Sequence, residues 1–184
     1  MDNFTLDPTV YDGRPADCSG RDAVETACYD FLDGLGVPYQ RVDHSETPSI
    51  EACGEVEQLL GIEICKNLFL CNRQKTQFTL LIMPGAKPFR TKDLSAQLGC
   101  SRLSFADAEH MQQYLGVTPG SVSVLGLLND TEKHVRLVID RDVLGPDWFG
   151  CHPCRNTSSL RIATADLTGK ILPALRHEPT YVSL

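Results

Sequence analysis

Apolar residues recur every three to four positions across residues 21–35, where Val24, Ala27, Cys28, Phe31, Leu32 and Leu35 share one face. That spacing predicts an amphipathic helix with Gly36 as its stop. Residues 39–43 alternate and predict a strand, and Thr47-Pro48-Ser49 opens a second helix that runs through Leu60 to Gly61. Two apolar runs, 66–71 and 77–82, are separated by the polar 72–76 and predict a hairpin. Pro84-Gly85-Ala86 turns the chain, Thr91 caps a short helix ending at Gly99, and 105–115 forms another, closed by Gly116. In the last third, 121–128 and 135–140 flank the polar 129–132 and predict a second hairpin. Residues 148–152 and 158–163 read as short strands, followed by a terminal helix over about 164–177 that Pro173 interrupts. Residues 1–20 read as an irregular leader. Residues 21–184 read as one α+β domain whose mixed, mostly antiparallel sheet, partly barrel-like, is surrounded by helices.

The chain has 184 residues, 42% of them apolar and 22% charged, an ordinary globular balance that excludes a disordered chain. No apolar run approaches the ~20 residues of a membrane span. The first twenty residues carry four Asp and no apolar segment, so no secretory signal is expected and the reading is a cytoplasmic protein with no membrane partner. Seventeen basic against 24 acidic residues leave a net −7, which argues against a DNA-binding or generic nucleic-acid protein. The sum hides an asymmetry. Residues 64–92 hold Lys66, Arg73, Lys75, Lys87, Arg90 and Lys92 and no acid, so this stretch is +6 and the rest −13. It is either a solvated surface or a phosphate-contacting face on an acidic protein.

Of the eight cysteines, most lie within apolar patterns and act as small hydrophobes. Cys151-His152-Pro153-Cys154 is a C-x-x-C, but it comes late in the chain and no helix pattern follows, unlike a thioredoxin-type site. No second Cys or His pair offers zinc-ligand spacing, so neither metal nor cofactor is expected. The motifs G-x-S-x-G, H-E-x-x-H, the P-loop and G-x-G-x-x-G are all missing. An enzyme built from this sequence therefore works without the usual covalent machinery. Four small features carry candidate chemistry. Lys66-Asn67 opens an apolar strand, where a charge must sit at the end or face a cleft. Gly120-Ser121-Val122-Ser123 follows a proline and could present backbone donors to an oxyanion. His152 is held by Pro153, and Asn156-Thr157 could bridge loops.

Read in order, Lys66-Asn67-Leu68-Phe69-Leu70, Leu103-Ser104-Phe105-Ala106, the run from Leu115 to Val122, Leu128-Asn129-Asp130 and His152-Pro153 with Asn156-Thr157 resemble one family. This is the YbaK/aminoacyl-tRNA synthetase-associated domain family, and the similarity is greatest to its free-standing prolyl-tRNA editing members. The resemblance covers nearly everything from Arg21 onward. It implies a trans-editing deacylase that hydrolyses the ester of mischarged tRNA(Pro), most of all the alanyl ester, with no metal, cofactor or covalent intermediate. In that picture Lys66, Gly120 and His152 serve catalysis. Asn67, Ser121, Val122, Ser123, Val124, Pro153 and Asn156 line the substrate, with His152-Pro153 as the wall of a small amino-acid pocket. Arg73, Lys75, Lys87, Arg90 and Lys92 face the tRNA acceptor end, with prolyl-tRNA synthetase as a further partner. Val124 stands where the family's Gly-x-x-x-Pro loop has proline, which removes a fixed φ. Family members carry an apolar residue at position 154, which makes the C-x-x-C coincidental. Two alternatives stay open at this level: a non-catalytic tRNA- or synthetase-binding module of the same fold, and a thiol-redox protein using Cys151 and Cys154.

Overall fold

A computed structural model describes residues 4–46 and 50–184. The expected helix opening at Thr47-Pro48-Ser49 lies outside the described residues. Elements run β1 (Tyr11–Asp12), α1 (Ala23–Gly34), β2 (Tyr39–Asp43), α2 (Ile50–Leu60), β3 (Lys66–Cys71), β4 (Phe78–Met83) and α3 (Thr91–Leu98), then β5 (Ser104–Phe105), α4 (Ala108–Leu115), β6 (Val135–Asp140), β7 (Trp148–Cys151), β8 (Ser158–Ala163) and β9 (Thr180–Val182). Helix ends follow local chemistry. Asp22 accepts from the Val24 amide to start α1, while Gly99 and Gly116 take the left-handed conformation that stops α3 and α4.

The strands form two sheets rather than one. The first, in the order β1-β2-β8-β7, is wholly antiparallel. The second, β5-β3-β4-β6-β9, pairs its first three strands antiparallel and its last three parallel. Among the described residues they are joined by one bridge, Ile64 to Gly150, where the Cys65 amide donates to Gly150 O at 3.1 Å. The expected partial barrel is thus an open pair of sheets with the main core between them. Phe69, Leu80, Ile82 and Leu137 from one sheet pack against the face that carries Phe149, Leu160 and Ile162 in the other. A second, smaller cluster, with Leu70, Leu81 and Val138, lies between the five-stranded sheet and α3.

Two further expectations need correction. The leader is not wholly irregular, because Tyr11 and Asp12 pair with Arg41 and Gln40 as an edge strand. The second hairpin does not form. Residues Val124–Asn129 are a 3-10 helix, and β6 lies parallel to β4 and β9. A short run such as Val-Leu-Gly-Leu-Leu is compatible with a buried strand or a buried helical turn, and periodicity cannot separate them. Tertiary packing does: a Cβ at Gly126 would lie 3.1 Å from Leu115 Cβ, so the segment is pressed against the end of α4. The terminal helix forms over 164–175, but Pro173 does not interrupt it: the irregularity is a π segment (Leu167–Ile171) between an α-turn (Thr164–Asp166) and a last α stretch (Leu172–Leu175) whose first turn accommodates the proline. Among the described residues no helix is long and apolar enough to cross a membrane.

Gly150 is required at the junction between the sheets. A Cβ there would lie 2.7 Å from Ile62 Cδ1 and 3.0 Å from both Glu63 O and Ile64 Cα. Gly150→Ala is expected to force the sheets apart and cost about 1–3 kcal/mol in denaturant unfolding. An unchanged midpoint would show that the bridge yields freely.

Candidate active site

The loop over 120–124 and the loop after β7 are tied together by one hydroxyl. Ser123 Oγ donates to His152 O at 2.6 Å and accepts from the Leu125 amide at 3.2 Å. It therefore caps the 3-10 helix and holds the His152 loop at once. Gly120 has φ +87, a left-handed backbone that favours glycine, and a Cβ there would stand 3.8 Å from Asn156 Nδ2. Arg155 adds a second tie by donating to Gly116 O at 3.2 Å. The Ser121 amide is used in a turn to Thr118 O. Among the described residues, the amides of Gly120, Val122 and Ser123 have no protein acceptor. The side chains of Val122, Val124 and Pro153 are buried, so Val122 and Val124 offer a ligand only their main-chain groups. Val124 packs in the core where a proline would fix φ, and the Ser123 cap supplies the restraint instead.

His152 has a neighbour that sequence reading missed. The β2–β8 register places Asp43 opposite Ser158, so His44 falls across from Thr157, to whose carbonyl its amide donates at 2.9 Å. The His44 and His152 rings lie 6.3 Å apart, edge to face. Nδ1 of His44 lies 2.8 Å from Ser45 O, and Nδ1 of His152 lies 2.9 Å from Ser158 O. A carbonyl can only accept, so each neutral ring carries its proton on Nδ1 and keeps Nε2 as an acceptor. Nε2 of His44 takes a bond from Ser159 Oγ at 2.9 Å. Nε2 of His152 has no protein donor among the described residues. Nothing local in the sequence marks His44, Ser158 or Ser159, since cross-strand pairing alone brings them together.

Burial holds both imidazoles below the usual histidine range. At His152 the nearby His44 adds to this and the Ser158 carbonyl opposes it, while at His44 the Ser45 carbonyl and Asp43 oppose it. The folded protein therefore binds fewer protons at these rings than the unfolded chain once pH drops below about 6.5. Stability is expected to fall as pH is lowered from 7.5 to 5.5. A melting temperature constant over that window, or one lowered equally by a His44→Asn/His152→Asn double variant and by the wild type, would contradict this assignment.

Behind the histidines sits a buried ionic cluster. Arg21 reaches Glu25 at 2.8 Å and Asp43 at 2.7 Å, Ser158 Oγ donates to Asp43 at 2.7 Å, and Tyr29 OH donates to Glu25 at 2.7 Å. This joins α1, β2 and β8 under the residue whose carbonyl orients His152.

On β3, residues alternate between the two cores. Phe69 and Cys71 face the main core, whereas Leu68 and Leu70 face the α3 side. Asn67 shares the first parity, donating from Nδ2 to Cys65 O at 3.1 Å, and its buried Oδ1 has no partner. Lys66 shares the second. It is half-buried, donates to Lys87 O at 2.8 Å and makes no ion pair among the described residues. The structure shows no direct contact between Lys66 and His152. The expected basic face is also divided. Arg73 and Lys75 sit at the turn of the β3–β4 hairpin, about 20 Å by strand length from Lys66, whose ammonium donates to the Lys87 carbonyl at the other end. Lys75 is paired to Asp107, Lys87 to Asp140 and Asp142, and Arg90 to Asp93.

A cavity of about 930 Å³ lies elsewhere, between the end of α2, the turn after β4 and the segment before β7. Its lining holds Glu57, Glu63, Asp142 and Asp147 against the single cation Lys87, which disfavours a polyanion. The C-x-x-C is unsuited to redox work. Both thiols are fully buried; burial raises that of Cys151, and Cys154 Sγ packs 3.6 Å from Cys28 Sγ. A reactive thiol needs exposure and a stabilised thiolate, and this site supplies neither.

Residues 44–169 match the family model of the aminoacyl-tRNA editing domain. The chain is 31% identical over 136 residues to the prolyl-tRNA editing protein ProX of Acetoanaerobium sticklandii, covering 74% of this chain and 83% of that one. It is 31% identical over 157 residues to prolyl-tRNA synthetase associated domain-containing protein 1 of Danio rerio, covering 84% of each. A proline–tRNA ligase of Methylobacillus flagellatus matches 80% of this chain at 27% identity, but with only 25% of its own length. In fold, the chain superposes on a candidate trans-editing enzyme for prolyl-tRNA synthetase with a TM-score of 0.64 at 18% identity, covering 89% of this chain and 97% of that one.

Proposed function

Because this chain belongs to the aminoacyl-tRNA editing domain family, we propose that it is a trans-editing deacylase that releases alanine from mischarged tRNA(Pro). The observation that carries this reading is the Ser123 latch, which ties a loop whose amides at 120, 122 and 123 have no protein acceptor among the described residues to His152, whose neutral ring has no donor on Nε2 among them. An aminoacyl ester needs two things to hydrolyse quickly: a positioned water and a donor set for the oxyanion that forms. The 120–124 amides supply the donors. His152 Nε2 holds the water and accepts its proton as the water attacks the carbonyl carbon. The C–O bond to ribose breaks, and the ribose oxygen takes a proton. The substrate's free ribose hydroxyl assists by its proximity. Lys66 takes the phosphate of the terminal nucleotide, and Asn67 and Asn156 hold the aminoacyl and ribose groups.

Selection is steric. A pocket walled by His152 and Pro153 admits a methyl side chain and rejects the proline ring, a task that binding affinity alone performs poorly in the other direction. In this reading the editing domain spans residues 21–184, because α1 supplies the Arg21–Glu25 support of the site. Its partner is the acceptor end of tRNA(Pro). Prolyl-tRNA synthetase is the enzyme whose errors it clears, and the ligase relative contains a stretch similar to 80% of this chain. The test is amino acid release from purified Ala-tRNA(Pro), with Pro-tRNA(Pro) alongside. Rapid loss of alanine with proline spared is expected. No release from either would turn the reading to a non-catalytic binding module.

A further inference from the structure

We infer that Phe105 and Phe89 form a stacking platform for an unpaired base of the RNA 3′ end, upstream of the nucleotide that carries the ester. The inference deepens the deacylase reading by naming where the single strand lies. Phe105 is 61% exposed, an unusual state for a large apolar ring. It sits on the two-residue edge strand β5, directly opposite Leu70, and so shares the α3 face of β3 with Leu68 and Lys66. Phe89 packs on the same small core, with its ring 6.3 Å from that of Phe105 at 71°, edge to face. This arrangement supports Phe105 from one side and leaves its ring open to solvent.

The surrounding charge selects the occupant. Lys66, whose ammonium makes no ion pair among the described residues, starts β3 four residues from Leu70, about 13 Å along that strand. Exposed Lys92 and Arg102 make no ion pair among the described residues, and Arg90 is balanced by Asp93. An aromatic face bordered by unpaired cations is the recognised physical arrangement for single-stranded nucleic acid: rings stack on bases and cations track phosphates. Lys66 at one end and the aromatic pair at the other span the length of a short unpaired strand. The acidic lining of the cavity beside Lys87 disfavours a polyanion there.

The test uses the full chain and two readouts. In a Phe105→Trp variant, the RNA tetranucleotide ACCA is expected to quench the added indole, with the wild-type emission of Trp148 as the control. Phe105→Ala should raise KM for deacylation of Ala-tRNA(Pro) by about 5-fold or more, with less of the loss in kcat, and Phe105→Tyr should restore it. If the wild type deacylates but Phe105→Ala leaves KM unchanged and ACCA causes no quenching, the inference is overturned and the deacylase reading stands. If the wild type deacylates nothing while ACCA still quenches, the platform stands and the deacylase reading fails. If Phe105→Ala converts a dimer to a monomer with RNA binding unchanged, the surface joins two copies of this chain and the inference is overturned.

Discussion

Replacing Lys66 with alanine is expected to lower kcat/KM for Ala-tRNA(Pro) by about 10²–10³-fold while leaving the fold intact. The reason is the state of its charge. Lys75, Lys87 and Arg90 are each matched by a carboxylate, but among the described residues the half-buried Lys66 ammonium has only the Lys87 carbonyl. A cation at the start of an apolar strand loses solvation and gains little in return, so it is poised for an anion from outside the protein. In the proposed deacylation, the phosphate next to the ester is that anion. Removal of the side chain loses one hydrogen bond to a carbonyl, worth about 1 kcal/mol, so the melting temperature should move by only a few degrees. Lys66→Arg should recover only part of the rate, because a planar fork does not replace a point charge on a short tether. A well-folded Lys66→Ala protein that deacylates normally would remove Lys66 from the site.

The second large effect is on stability. Arg21→Ala is expected to cost about 3–5 kcal/mol and lower the melting temperature by on the order of 10 °C. Glu25 is 2% exposed, and Arg21 is the cation that faces both it and Asp43. Burial works against ionisation of Asp43, yet bonds from Arg21, Ser158 and Arg41 hold it below the usual carboxylate range. Without the guanidinium, buried Glu25 keeps only hydroxyl partners and faces the half-buried Asp43, which retains Arg41. Because Ser158 also orients His152, the same change should weaken deacylation beyond its effect on stability. Arg21→Lys should restore part of both. A loss below about 1 kcal/mol in denaturant unfolding would show that the cluster behaves as an exposed ion pair.

Much of this molecule was readable before its shape was known. The helix over 23–34 and the hairpin of β3 and β4 follow from strong periodicity and clear stops, which are local properties. The Lys66-Asn67, glycine-loop and His-Pro segments stood out for the same reason, since each is a short pattern of residue types. Other elements were not readable. The 3-10 helix at 124–129 was expected as a strand because its buried residues are apolar on every side, and only the close approach of Leu115 decides its form. The leader was expected to be irregular because a two-residue edge strand gains its identity from β2, not from its own composition.

The site divides along the same line. By itself the sequence determined which side chains could do chemistry: a lysine beginning an apolar strand, a glycine after a proline, a histidine before one. It also suggested one basic face, which the tertiary structure split between the two ends of a hairpin and largely matched with carboxylates. Only the fold decided that His44 lies across from Thr157, that Ser123 latches two loops, and that Phe105 is left exposed against Phe89. These are contacts between residues tens of positions apart, set by strand register and by the meeting of two sheets at Gly150. No property of a short window of sequence contains them. Local propensity writes the elements, and long-range packing assigns their neighbours.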